Sequence, residues 1–287
     1  RQMDALIEAK LSALRAIDVA KHFAHVAGHP ERALWCRAPS SGEPPFRFLM
    51  GSRPDEWENL ARFNEDQVGV ALTEPFWAMA TTVTYGQWRL MAPKADHVAR
   101  WGDDDQLPVT HVSWFEACLY SRWLGHWRAH QVTPWNKALA DVPDSHRFAL
   151  PTEAQWEFMA RAGTITPFWS GDAYEALRRV GWFDENSQNR MHPVAKLEPS
   201  PWGLFDVHGN VWEWCCDWFS VELPGGVDPM SVERNTCHAI RGGTYRSSAG
   251  YCRCASRDTL MSPTAALDPN GFRLVLSVPE RASKLEL

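Results

Sequence analysis

The apolar positions along this chain change their spacing several times. From Met3 through Leu6, Ile7, Leu11, Leu14 and Ile17 to Phe23 they recur near every 3.6 residues with Lys and Arg opposite. That spacing predicts an amphipathic helix over residues 1–27, stopped by Gly28 and Pro30. Ala38 to Pro45 (APSSGEPP) reads as a turn-rich connector. From Phe46 the pattern becomes β-branched and aromatic, and FRFLMGS and PFWAMATTVTYGQW (residues 75–88) predict strands. Two capping boxes then announce helices: Ser113 with Glu116, in a helix Gly125 should end, and Thr152 with Gln155, in a helix Gly163 should end. From Ile165 to Trp202 the periodicity fades into loops with aromatic anchors. A stretch of that length is functional or is held by something other than secondary structure. FRLVL (residues 272–276) predicts a closing strand. The pattern therefore gives an N-terminal helix and connector over 1–45, one α+β domain over 46–277 and a tail over 278–287.

Composition adds irregularity to this picture. Sixteen tryptophans, eighteen glycines and twenty prolines favour short elements, many turns and buried indoles that need hydrogen-bond partners. The formal charge is −6, with 29 basic against 35 acidic residues and no basic stripe, which argues against nucleic acid as a partner. No run approaches the roughly 18 apolar residues of a membrane helix. Because the chain starts at Arg1, a preceding segment, such as an effector domain, is expected, and export is not decided by the absence of a leader. The seven cysteines include the pairs Cys215–Cys216 and Cys252/Cys254 but no C-x-x-C, a spacing that fits free thiols in a reducing, cytoplasmic compartment better than zinc.

Most of the functional information lies in GLFDVHGNVWEWCCDWF (203–219), RGGTYRSSAGYCRCASRD (241–258) and NGFRLVL (270–276). Together with FLMGS (48–52), TTVTYGQW (81–88), PVTHVSWFEACLYSRWL (108–124) and LPTEAQWEFMARAG (150–163), these blocks resemble, in order, the formylglycine-generating enzyme (sulfatase-modifying factor) family. The resemblance implies an elaborated C-type lectin fold of two main helices, short antiparallel strands and large loops.

It leaves three functions open. A formylglycine-generating oxidase needs two thiolates on copper, since soft sulfur suits Cu(I). In the family these cysteines follow Arg-Gly-Gly-Ser-Phe/Tyr closely, whereas Tyr245 is followed here by Arg246, Ser247, Ser248, Ala249, Gly250 and Tyr251 before Cys252. An ergothioneine-type sulfoxide synthase would use an H-x-x-x-H-x-E iron motif. His25, His29 and Glu31 spell it, with His22 as a further candidate, although Gly28 and Pro30 break the helix it requires. The third reading is a non-catalytic binding protein without copper or iron. The block resembles the family's R-G-G-S-W, six variable positions, C-R-S-A-x-R branch, which includes the variable proteins of diversity-generating retroelements. The resemblance then implies a ligand-binding, variable surface at Tyr245, Ser247, Ser248, Gly250, Tyr251, Cys254, Ser256, Asp258, Thr259 and Ser262, between fixed Gly242, Gly243, Arg253, Arg257, Gly271 and Phe272. Tyr, Ser and Gly on a rigid support also suit recognition of a protein or small-molecule ligand on physical grounds.

In GLFDVHGNVWEW the resemblance implies a structural calcium held by Asp206, the carbonyls of Gly209 and Val211, and Glu213, a hard-oxygen set. Arg241, Arg253, Arg257 and Arg273 read as structural forks for buried carbonyls and for carboxylates such as Glu213 or Asp217. His208 and His238 likewise read as structural.

Overall fold

The computed structural model describes residues 23, 25–26, 29–39, 42–56, 65–92, 104–129, 139, 142–258 and 262–278. Three small sheets carry the domain. In the first, β3 (Trp35–Ala38), β6 (Phe76–Met79), β15 (Val275–Ser277) and β7 (Arg147–Ala149) lie in that order, all antiparallel. In the second, β13 (Arg257–Asp258), β12 (His238–Arg241) and β10 (Trp212–Trp218) run antiparallel, and β14 (Asn270–Gly271) joins β10 in parallel. The third pairs β4 (Phe46–Met50) with β5 (Val68–Leu72) and adds β11 (Gly226–Val227). A two-residue parallel contact joins β8 (Gly181–Trp182) to β9 (His208–Gly209).

The strand β3 lies upstream of the boundary expected at residue 46, yet it is hydrogen-bonded along its length to β6. Trp35 packs on Phe148 of β7 at 5.3 Å, so burial of an indole recruits this segment to the sheet. The helix expected to reach residue 27 gives way earlier: β1 (His25–Val26) pairs antiparallel with β2 (His29–Ala33). Residues 1–22, including His22, lie outside the described residues.

Four helices appear among the described residues. Within the segment expected to be strand through Trp88, only Phe76–Met79 is extended. Thr84 instead starts α1 (Tyr85–Arg89), closing a capping box with Gln87. The helix α2 (Trp114–Ala129) begins with Ser113 and Glu116 bonded reciprocally, as its sequence indicates. It runs straight through Gly125, because Tyr120, Trp123, Leu124 and Trp127 bury one face across that glycine. The helix α3 (Glu153–Arg161) has the Thr152–Gln155 box and ends with left-handed Ala162 followed by Gly163. The short α4 (Tyr174–Arg178) sits in the long loop region.

Several tryptophans bond their indole N–H as expected: Trp114 donates to Cys215 O, Trp214 to Val112 O and Trp156 to Glu213. Trp88 and Trp123 do not; they pack on Tyr120, the first in a stack at 5.3 Å, and area burial outweighs the missing bond. Glycine is obligatory where β8 meets β9, since a Cβ on Gly209 would lie 1.9 Å from the Trp182 carbonyl oxygen. That close approach delivers Asn210 and the loop after Trp182 to the C-terminal block.

Candidate functional site

The C-terminal block leaves β12 at Arg241, passes Gly242 and Gly243, turns through a short 3-10 segment (Ala249–Cys252) and returns as β13. Three of its four arginines, Arg241, Arg253 and Arg257, point inward, and Arg246 does not. Arg241 bonds Glu157 and donates to the carbonyls of Ala255 and Ser256, both at 2.7 Å. Arg253 holds Glu56 at 2.7 Å, Glu65 at 2.9 Å and Ser52 at 2.7 Å. Arg257 forks onto Glu153 at 2.6 and 2.9 Å. Arg273, after β14, forks onto Glu213 with two 2.7 Å bonds. Arg161 of α3 closes the set on Glu157. All five guanidinium groups are buried. Burial pushes the Glu157 carboxyl up, but Arg161 and Arg241 beside it outweigh that and hold it below the usual carboxylate range.

Asp217 differs from the expectation of an Arg partner. Its oxygens accept the backbone N–H groups of Glu153 at 2.8 Å and Ser231 at 2.9 Å, and burial pushes it up to about 7.

Between these pins the segment is fixed by short bonds. Thr244 and Ser247 bond each other in a tight turn. Tyr245 OH donates to Asp268 at 3.0 Å, and its carbonyl accepts from Ser187 Oγ at 2.6 Å. The Ser247 carbonyl accepts from the amide of Asp184 at 3.0 Å. A Cβ on Gly243 would meet Cys252 Sγ at 2.7 Å, so the turn needs glycine there.

Burial divides the ten candidate surface positions. Ser248 and Ser262 are exposed, and Ser247 and Tyr251 partly so. Tyr245, Gly250, Cys254, Ser256 and Asp258 are buried, so they support the segment and present nothing to a ligand, contrary to the sequence expectation. Small and polar side chains in this block therefore serve two purposes that composition does not separate. Thr259 lies outside the described residues. The structure adds Arg246, whose Nε donates to Asn189 Oδ1 at 3.1 Å, and with it an exposed rim of Asp184, Gln188 and Asn189. Gln188 and Asn189 are both left-handed, with φ of 57° and 54°. Two consecutive non-glycine residues in that region are uncommon and collect at functional sites. Their only sequence signal was the long aperiodic stretch.

The two candidate thiols do not share a pocket. Cys252 packs with Phe168, Leu177 and Phe183, whereas Cys254 packs with the cluster of Trp156 and Met159. Burial pushes both up, Cys254 to about 12, so neither is a thiolate near neutrality. Among the described residues, no three or more His, Cys, Asp or Glu side chains form a metal group. His25, His29 and Glu31 lie on β1 and β2, so the helical spacing of the iron motif is not what the backbone provides.

Asp206 is left-handed, with φ of 55°. Its Oδ2 accepts from the Ala195 amide at 2.8 Å, while Oδ1 is buried without a hydrogen-bond partner. Burial raises Asp206 to about 6. An orphaned buried carboxylate oxygen fits a bound cation. Glu213 is less free, since Arg273 and Trp156 together use three of its roughly four lone-pair sites.

His238 lies between Trp114 and Trp218, stacked at 3.8 and 3.9 Å, and its Nδ1 donates to the Asp217 carbonyl at 3.0 Å. His208 bonds the Cys252 carbonyl. Both therefore act structurally.

Burial lowers His208 and His238 to about 4, so each is neutral when folded and withdraws stability as pH falls from about 6.5 to 4. Asp206 and Asp217, raised to about 6 and 7, act oppositely and withdraw stability as pH rises from about 4. His238→Phe keeps the stack and removes one acid-side contribution. We expect the stability of this variant, relative to the parent, to decline by ~3 kcal/mol between pH 4 and 6.5 in denaturant titrations. Parallel pH profiles would contradict a neutral buried His238.

The sulfatase-modifying factor enzyme 1-like domain matches residues 44–278. A formylglycine-generating enzyme of Streptomyces coelicolor is 31% identical over 245 residues, covering 75% of this chain and 65% of that protein. One from Thermomonospora curvata is 31% identical over 192 residues, covering 58% of this chain and 54% of that protein. The chain thus spans between half and two thirds of the length of these relatives. Treponema denticola variable protein 1 superposes with a TM-score of 0.67 at 24% identity, over 84% of this chain and 94% of that one. The fold is the α+β C-type lectin arrangement that its sequence blocks implied. By the extent of the domain match, the chain belongs to the sulfatase-modifying factor enzyme 1-like family.

Proposed function

We propose that this chain is a non-catalytic binding protein that displays part of the segment around residues 245–262 to a protein or small-molecule ligand. The observation that carries this reading is the alternation of buried pins with exposed small or polar positions. Arg241, Arg253 and Arg257 anchor the segment to carboxylates, while Arg246, Ser247, Ser248 and Tyr251 face outward between them. Tyr gives contact area at low entropic cost and Ser gives adaptable hydrogen bonding. The rim of Gln188 and Asn189 enlarges the surface. Diversification by a retroelement would act on Ser247, Ser248, Tyr251 and Ser262, with the buried positions held constant. The likeness in fold to a variable protein supports this reading.

The oxidase reading rests on the relatives' activity. It needs two convergent thiolates, whereas Cys252 and Cys254 sit in separate apolar clusters as thiols. The iron reading needs a histidine pair on one helix face, which β1 and β2 do not offer.

A structural calcium remains part of the proposal, held by Asp206 Oδ1 with the carbonyls of Gly209 and Val211 and the remaining lone pair of Glu213. It would neutralise the buried carboxylate and brace the turn that carries Asn210; no chemistry is asked of it.

Combined substitution of Arg246, Ser248 and Tyr251 by other small or polar residues is expected to change stability by no more than about 1 kcal/mol. Ser256→Leu or Asp258→Leu, at buried polar sites, should each cost about 2 kcal/mol or more. Equal sensitivity at both sets would refute a display role. So would formylglycine formation on a Cys-x-Pro-x-Arg peptide that is lost in Cys252→Ser.

For calcium, millimolar Ca²⁺ against chelator should raise the melting temperature, by an amount corresponding to about 2–3 kcal/mol if the site is filled a hundredfold above Kd. Asp206→Ala should abolish that calcium response. A melting temperature indifferent to the ion would remove calcium from the account.

A further inference from the structure

A cleft of about 330 Å³ opens between the last turns of α2 and strand β7, lined by Gly125, Arg128, Asp144, His146, Arg147 and Phe148. It is formed by elements remote in sequence from the C-terminal block, and the proposed function makes no use of it. Two guanidinium groups face it. Arg147 Nη1 is turned back onto the carbonyls of Asp144 and His146, the second at 3.1 Å. Arg128 is half-buried and makes no hydrogen bond and no ion pair within 4 Å among the described residues. Burial lowers its affinity for a proton, Asp144 nearby restores part of it, and the like charge of Arg147 opposes it again.

We infer that this cleft is a binding site for a small oxyanion, a phosphate monoester or a carboxylate, gripped by Arg128. A guanidinium presents five donors in a fork that matches such an anion. The exposed face of that fork is held by water, which an entering anion would replace with charge-assisted hydrogen bonds. The charges agree. Among the lining residues Arg128 and Arg147 against Asp144 leave one positive charge, with His146 neutral because burial lowers it and Glu74 near His146 outside the lining.

The floor is preorganised. His146 is buried, edge-on to Trp77 at 5.4 Å, and its Nε2 donates to the Pro75 carbonyl at 3.3 Å. Phe148 supplies an apolar wall. Gly125, which interrupts an otherwise helix-favouring stretch, keeps the mouth open; a Cβ there would make only an ordinary 3.8 Å contact with Phe148. A basic residue in a helix's last turn often serves only the helix dipole. Arg128 could serve it without facing a cleft or meeting a second arginine, so the dipole alone does not account for the arrangement.

The test uses the full chain, titrated with sodium phosphate and separately with sodium acetate at constant ionic strength, and reads the arginine Nε–Hε signals and the melting temperature. We expect saturable shifts for Arg128 with one or both anions. Whichever anion binds identifies the phosphate or the carboxylate as the fitting head. Arg128→Gln should weaken binding at least tenfold. Gly125→Leu, which fills the mouth while favouring the helix, should weaken it equally with both arginines intact. Shifts reproduced by sodium chloride, binding retained in both variants, or no saturable shift with either anion would overturn the site.

Discussion

Five buried arginines and the carboxylates that meet them are the constraint on which this fold depends. Arg161, Arg241, Arg253, Arg257 and Arg273 are all removed from water; Arg161 pairs with Glu157 on its own helix, and each of the other four reaches a Glu supplied by a distant part of the chain. Glu153 and Glu157 come from one helix, α3. Glu213 comes from the central strand β10, and Glu56 and Glu65 flank the segment after β4. A buried ion pair is not in itself a source of net stability, because desolvation cancels most of the attraction. Loss of one partner, however, strands the other charge. The network therefore penalises every arrangement but one, and the short strands around it are too small to impose that order alone.

This explains how a segment with little regular structure can be rigid. The chain from Arg241 to Asp258 contains one 3-10 turn and two strand ends, yet its three buried arginines are tied to α3, to Ser52, Glu56 and Glu65, and to the loop after β10. The outward positions ride on that frame. A surface built in this way can exchange its exposed side chains without reopening the question of folding, a property that recognition by variation requires.

Much of this was legible in the sequence. Capping boxes placed the starts of α2 and α3, and ordered glycine and tryptophan blocks gave the fold. The arginines read as structural forks from the sequence, and Arg273 meets Glu213 as that reading requires. What the sequence hid has a common physical cause. Tyr245, Cys254, Ser256 and Asp258 have surface chemistry but interior positions, because burial of a polar group depends on partners far away in the chain. Trp35–Ala38 falls in the 1–45 segment that the pattern sets outside the domain, until Phe148 is seen against Trp35. Gly125 carries a helix-ending residue type but lies where Trp123, Leu124 and Trp127 make continuation more favourable. Arg246 and Asn189 form one rim only because β8 and β9 bring their loops together.

The claim that ion pairs, and not the sheets, fix the display segment is tested most directly by a double-mutant cycle on Arg257 and Glu153, the pair with two bonds at 2.6 and 2.9 Å. With Arg257→Met and Glu153→Gln, singly and together, the account predicts single losses of about 3 kcal/mol or more and a coupling energy of at least about 1.5 kcal/mol. Additive losses, with a coupling energy indistinguishable from zero, would contradict it.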